Sequence, residues 1–293
     1  MKKEQTRVIT EELIDEYCIW LERCERSRET IQKYRFYLTQ FHGYAEKRTI
    51  TKEMVILWKS VLCDRMAPST VNTALAALNG FFMFCDWKEC RARFLKISKN
   101  TFCPENRELS KQEYQRLVKT AAANGNERLA LLLETICSSG IRVSELEFIT
   151  VKAVRRGQAE VNCKGKIRTV LLAKRLCAIL TDYARRKGIE SGMIFVTRSG
   201  RALDRSNIWR EMKALGGKAG VGSEKIFPHN LRHLFARTYY AMTKDLSKLA
   251  DILGHRDINT TRIYTIESSL EHRKQLDNMK LIAAPYNRIS ILL

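Results

Sequence analysis

The sequence predicts a mainly α-helical chain with a small antiparallel β-sheet, split into an N-terminal four-helix domain and a larger α+β domain. Three observations carry that expectation. Apolar residues recur at helical spacing in four successive segments between residues 10 and 86. Residues 96–110 then break the pattern with a polar stretch carrying Pro104. Residues 151–172 change to period two around a glycine turn.

The first helix spans 10–24 with Thr10 as its N-cap and Leu13, Ile14, Tyr17, Ile19 and Leu21 facing inward. A second covers 28–46 with Ile31, Tyr34, Tyr37, Leu38 and Phe41 on its inner face. A third covers 51–63, capped by Thr51, and a fourth 69–86 follows Pro68 with Val71, Leu75, Leu78, Phe81 and Phe82. Short connections between four helices predict a bundle over residues 1–100. Residues 101–109 form a linker, ending where Ser110-Lys-Gln-Glu113 has the form of a capping box.

The second domain runs from 110 to 282. Helices fit 110–123 and 127–138, with a short one after Gly140. Ala159–Cys163 and Thr169–Leu172 read as a hairpin or small meander around the basic turn Lys164-Gly-Lys-Ile-Arg168. Helices resume at 174–187 and 204–219, with a short strand at Met193–Val196 between them. Further helices fit 228–243, 245–253, 257–265 and 267–281. The tail 283–293 ends in Ile-Ser-Ile-Leu-Leu, apolar enough to pack on its own domain or dock on a neighbouring protomer.

Composition bounds the partner. The formal net charge is +20 over 293 residues, with +5 in residues 1–100 and +15 beyond, and such an excess favours a polyanion. A membrane face is set aside: there is no basic amphipathic helix with an aromatic face, and no apolar run approaches the ~20 residues a bilayer needs. Nine cysteines without a C-x-x-C pair read as reduced thiols of a cytoplasmic protein rather than metal ligands.

The chemistry-bearing residues lie in the basic part. Ile252-Leu-Gly254-His255 ends a helix at a glycine cap, and Tyr264 follows nine residues later. Pro228-His229-Asn-Leu-Arg232-His233 opens a helix whose His229 and Arg232 share a face. Arg142 and Arg232 have the planar fork that grips two phosphate oxygens. A histidine donates to the same oxygens or moves a proton, and a lysine in a hairpin turn can protonate a leaving alkoxide. Tyrosine, with an unperturbed pKa of ~10, becomes a nucleophile only among cations. Together they suit a metal-free transesterification, since no carboxylate cluster offers a two-metal site. In the bundle, Arg28, Thr30, Lys33, Ser69, Thr70 and Asn72 are basic and hydroxyl or amide residues able to touch phosphates, or else plain helix ends and caps.

In order the chain reads Ser139-Gly-Ile-Arg142-Val-Ser-Glu145-Leu, Lys164-Gly-Lys166, His229-Asn-Leu-Arg232-His, Leu253-Gly-His255 and Tyr264. This resembles the tyrosine recombinases, or phage-integrase family, whose members include Xer, Cre and lambda integrase. The resemblance covers nearly the whole chain. It implies a SAM-like core-binding domain, matched by pattern rather than signature residues, and a tyrosine recombinase catalytic domain. It further implies that Tyr264 attacks the scissile phosphate to give a 3′-phosphotyrosyl link. Arg142 and Arg232 would then clamp the phosphate, with His229 and His255 bonding to it and handling the tyrosine proton. Lys164 aligns best with the general acid, with Lys166 as rival because the turn is shorter than the family's. Glu145 is either a support for active-site side chains or a helix-surface carboxylate.

The implied activity is site-specific recombination of double-stranded DNA, integrating or excising a mobile element as a tetramer. Because the phosphotyrosine conserves the bond energy, no cofactor is expected. About ten residues precede the first helix, which leaves no room for an arm-type domain and favours simple-site recombination. The alternatives are type IB topoisomerase-like relaxation and a non-catalytic DNA-binding protein of the same fold.

Overall fold

The computed structural model describes residues 7–97, 107–163, 166–197, 199–255, 257–264 and 277–279. The chain divides into two compact units, Met1–Lys99 and Asn100–Leu293.

In the first unit four helices follow one another: α1 Glu11–Arg23, α2 Arg28–Ala45, α3 Lys52–Arg65 and α4 Pro68–Phe84. Thr10, Ser27 and Thr51 each accept a backbone N–H from the first turn of the helix that follows, which satisfies donors a helix start leaves orphaned. Pro68 opens α4, where its missing N–H costs nothing. Helix α4 is the axis of the core: Val71, Leu75, Leu78, Phe81 and Phe82 are fully buried. It packs on α2 and α3, and α2 on α1. Ile19 departs from expectation, since it is half exposed; it falls two residues after Tyr17, on the other face of α1.

Two asparagines seven apart on α4 hold the segment leaving the bundle. Asn79 gives its amide N–H to the Ala92 carbonyl and accepts from the Ala92 N–H, both at 2.9 Å. Asn72 repeats the exchange with Leu95 at 3.0 and 2.8 Å. Asn72 is therefore half-buried, with its amide committed within the chain, and not the exposed phosphate-seeking residue expected.

The second unit begins with α5 Lys111–Ala123, entered through the full capping box of Ser110 and Glu113. Helix α6 Glu127–Ser139 is buried on most of its surface and packs against α5 and against α10 Pro228–Thr243. A 3-10 turn, Val143–Phe148, follows where a short helix was expected. Then comes α7 Val151–Arg156, six residues between the Thr150 cap and Gly157. That helix is too short to show a period, which is why it is not separable from the β region in the sequence.

Strands β1 Gln158–Cys163 and β2 Lys166–Leu171 pair antiparallel from Gln158↔Leu171 to Cys163↔Lys166. The expected strand at 193–196 forms only the isolated bridges Thr150↔Met193 and Val196↔Ala202. Its apolar residues answer to burial, since Ile194 and Phe195 are buried. Helices α8 Lys174–Arg186 and α9 Arg205–Ala219 complete the main core. Helices α11 Leu246–Leu253 and α12 Ile258–Arg262 follow α10. Beside α10 they form a small separate cluster of Ala236, Leu249, Leu253 and Tyr264.

The fold class is thus mainly α with a two-stranded antiparallel sheet. Most of the expected helix 267–281 and the whole tail 283–293 lie outside the described residues. Among the described residues no helix is long and apolar enough to cross a membrane.

Candidate active site

Arg232 stands at the centre, on the second turn of α10, and only 2% of it is exposed. Its guanidinium donates to the Gly140 carbonyl at the end of α6. It also donates to the Leu253 carbonyl at the end of α11, at 2.7 Å. Carbonyls at helix C-termini lack intrahelical partners and carry the negative end of the dipole. They give this buried cation the compensation that burial otherwise denies. Burial, then the nearby Arg142, lowers its pKa to about 10, opposed by its interaction with Tyr264. Arg232 remains charged at neutral pH.

Gly140 can sit beneath Arg232 because of its φ of +66°; a Cβ there would lie 2.5 Å from the Phe235 ring. After it, Arg142 enters the 3-10 turn with its N–H donated to Glu145 at 3.0 Å and its guanidinium donated to the same carboxylate at 2.8 Å. The Arg142 side chain is 40% exposed while that of Glu145 is 2% exposed, so the cation faces out and its partner is the buried anchor. The second Glu145 oxygen accepts from Arg168 on β2 at 2.5 Å. Burial alone would raise the Glu145 pKa. The Arg142 N–H and the Arg168 and Arg142 guanidiniums outweigh that and hold it below the ordinary carboxylate range.

The chain leaves α11 through a Schellman turn. Gly254, at φ +65°, donates to Asp251, and His255 donates to Ala250, each at 3.0 Å. This turn delivers the His255 ring to Arg232, with Nε2 3.1 Å from the guanidinium. The other ring nitrogen, Nδ1, lies 2.8 Å from the hydroxyl of fully buried Thr261. Arginine can only donate, so Nε2 accepts and the proton sits on Nδ1, which donates to Thr261. Burial, then Arg232, Arg142, Arg168 and His229, pushes the His255 pKa down to about 4, in keeping with that neutral tautomer.

Tyr264 lies 3% exposed beyond α12. Its ring stacks on His255 at 5.9 Å between centroids and meets the edge of His233 at 4.7 Å. His233 in turn stands 4.4 Å from the ring of His229, edge to face. Burial, then His229 and Arg232, lowers the His233 pKa to about 4. The His229 ring is solvent-exposed yet crowded, and desolvation followed by Arg232, Arg142 and Arg205 lowers its pKa too.

Arg142, His229 and Arg232 share an open cleft of about 760 Å³ with Arg205, Trp209 and Arg210 of α9. Three sides of it therefore carry fixed positive charge. Of the expected residues, Arg142, His229, Arg232, His255, Tyr264 and Glu145 converge here. Lys164 lies outside the described residues, and Lys166 opens β2 opposite Cys163. In the first unit Lys33, Ser69 and Thr70 line one shallow cleft between α2 and α4, while Arg28 lines another beside Arg26 and Arg35. The Thr30 hydroxyl is engaged with Ser27 at 3.0 Å.

Arg168, His233, Thr261 and the cleft residues of α9 join the site without having been expected from the sequence. His233 was within reach, one turn after His229. Arg168 and Thr261 had no signal, because their meaning comes from partners on other segments.

Residues 107–270 match the model of the phage integrase family, and residues 14–89 match that of the phage integrase N-terminal SAM-like domain. The chain belongs to the phage integrase family. Among curated relatives of this family member, tyrosine recombinase XerA of Pyrococcus horikoshii is 28% identical over 292 residues, covering 96% of this chain and 98% of its own. Tyrosine recombinase XerC of Erythrobacter litoralis is 31% identical over 212 residues, covering 68% and 69%. Among solved structures, the XerH site-specific recombinase bound to palindromic difH substrate, a post-cleavage complex, superposes with a TM-score of 0.68. It is 23% identical and covers 94% of this chain and 90% of that one, so it speaks to the fold. As a phage integrase family protein the chain is a site-specific recombinase of the tyrosine type.

Proposed function

We propose that this recombinase cuts and rejoins double-stranded DNA at a specific site through a 3′-phosphotyrosyl intermediate on Tyr264. The observation that carries the reading is Arg232, which reaches His255 and Tyr264 on one side and shares an open cationic cleft with Arg142 and His229 on the other.

The chemistry follows from those groups. The phosphate of one strand lies in the cleft, its non-bridging oxygens held by Arg142 and Arg232 and by a proton donated from His229. Tyr264 Oη attacks phosphorus while its proton passes to a neighbouring neutral base, a role given to His255, whose ring stacks on that of Tyr264. The bond from phosphorus to the 5′-oxygen breaks, and that oxygen takes a proton from Lys164, or from Lys166 as the rival of the shortened turn. Charge growing on the phosphorane meets preplaced guanidiniums, which need no reorganisation. Rejoining is the reverse attack by a 5′-hydroxyl from the partner strand, so neither ATP nor another cofactor enters.

Residues 1–100 act as the core-binding DNA domain, contacting phosphates through Arg28, Thr30, Lys33, Ser69 and Thr70. Residues 110–282 act as the catalytic domain, and the tail 283–293 docks on a neighbouring protomer of a tetramer assembled on DNA. The biological event is integration or excision of a mobile element at simple paired sites, carried out in the cytoplasm at the nucleoid.

The test uses a duplex selected for binding from a randomised pool, then nicked near the cleavage point so that cleaved strands cannot religate. The wild-type chain should accumulate a covalent protein–DNA adduct. Tyr264→Phe should bind the duplex and form none; an adduct persisting in that variant removes Tyr264 as nucleophile. Relaxation of a supercoiled plasmid lacking the selected site would favour the topoisomerase reading instead.

A further inference from the structure

We infer that Arg168 is a positioning residue of the cleavage site, locking the hairpin that carries the basic turn to both the Arg142 segment and the Tyr264 arm. The inference rests on the recombinase reading above and deepens it.

The candidate site is assembled from segments far apart in sequence, and Arg232 ties two of them at the Gly140 and Leu253 carbonyls. Arg168 makes a second tie between the same two segments, five residues after Gly140 on one and one residue before Leu253 on the other. Its guanidinium donates to Glu145 on one side and, at 3.0 Å, to the Ile252 carbonyl on the other. Arg168 belongs to neither segment. It projects from β2, four residues after Lys164, so the same contacts that brace Arg142 and His255 also fix the hairpin. A hairpin of two strands has little rigidity of its own in water; here Ala159, Val161 and Val170 pack it on the main core, and the Arg168 guanidinium adds the polar tie to the site.

Three features separate this arrangement from an ordinary surface ion pair. The Arg168 side chain is 15% exposed and Glu145 2%. Among the described residues its buried Nε has no hydrogen-bond partner, so the pose is set by the two ends of the fork rather than by the best satisfaction of every donor. Its stem also lies directly over Gly254, where an added Cβ would come 2.4 Å from Arg168 Cδ. The glycine that turns α11 toward His255 is thus also the floor on which Arg168 rests.

Charge couples the tie to function. Glu145 faces the Arg142 N–H and guanidinium from its own turn and Arg168 from β2. On the far side Arg168 adds to the cationic field that His255 and Arg232 feel. Removing Arg168 withdraws a stabilising cation from ionised Glu145 and a repelling one from His255, so both groups take up protons at higher pH. Protonated Glu145 releases Arg142, and protonated His255 can no longer accept from Arg232 or from the tyrosine.

The experiment measures single-turnover adduct formation on the nicked selected duplex across pH, together with duplex affinity. Wild type, Tyr264→Phe, Arg168→Met and Arg168→Lys are compared. Arg168→Met should keep affinity within about twofold, form adduct at least about tenfold more slowly, a barrier increase of about 1.4 kcal/mol, and move its acidic limb to higher pH. Arg168→Lys, with one nitrogen for two acceptors, should fall between, and it carries the same test if the methionine variant does not fold. Arg168 variants that react within twofold of wild type, or more slowly with an unmoved acidic limb, overturn the inference. A wild type that forms no adduct, or a Tyr264→Phe that does, removes the recombinase reading beneath it instead.

Discussion

Glu145 sets the charge balance beside Arg142, being a buried carboxylate between the Arg142 and Arg168 guanidiniums. Replacing it with glutamine keeps the shape and removes the charge. Breaking a buried pair from one side leaves the other side uncompensated, at about 3–5 kcal/mol; the half-exposed Arg142 reduces that here. Glu145→Gln should therefore lower the midpoint of urea unfolding and slow adduct formation while leaving duplex affinity nearly intact.

The histidines give a second residue-scale expectation. His233 and His255 are each depressed to about 4 from an ordinary 6.5. The unfolded chain therefore binds more protons between those values, and stability falls as pH drops from 6.5 toward 4. Glu145, also depressed, adds a loss of the same sign below the ordinary carboxylate range. Melting temperature measured across pH 7 to 4 should decline, and His233→Phe should flatten the slope. A flat wild-type profile would contradict the neutral state of these half-buried rings.

At the scale of elements, caps and turns were the most legible features. Thr10, Thr51, the Ser110 box, Pro68 and Gly254 each act within one helical turn, so short patterns revealed them. The candidate site residues Arg142, His229, Arg232, His255 and Tyr264, which the structure brings together, stand out in the sequence for a related reason, since each lies in a compact motif of fixed spacing. What escaped the sequence depends on distant partners. Asn72 looked like a surface polar residue until the exiting chain was laid along α4, and Arg168 joins residues 23 and 84 positions away. Met193–Val196 looked like a strand because burial and pairing leave the same apolar run. Asn79→Ala would leave the Ala92 N–H and carbonyl buried without partners, at about 1–3 kcal/mol, readable as a fall in the urea midpoint. Gly140→Ala should cost at least about 1–2 kcal/mol for its left-handed backbone alone, and more for the Phe235 contact.

For the whole molecule, a net charge of +20, three quarters of it in residues 101–293, matches a partner bound through its phosphates. Duplex affinity should fall steeply with salt, with a log–log slope of several units, and the slope should shrink when Arg205 or Arg210 beside the cleft is made neutral. The central claim is that one tyrosine carries the cut strand, and mapping the attachment point tests it most directly. The adduct formed on the nicked duplex is digested with nuclease and trypsin, and the nucleotide-bearing peptide is sequenced by mass spectrometry. The peptide Ile263–Arg273 contains a single tyrosine, Tyr264, beside the hydroxyls of Thr265, Ser268 and Ser269. The account predicts a phosphonucleotide on Tyr264; one on another residue would contradict it.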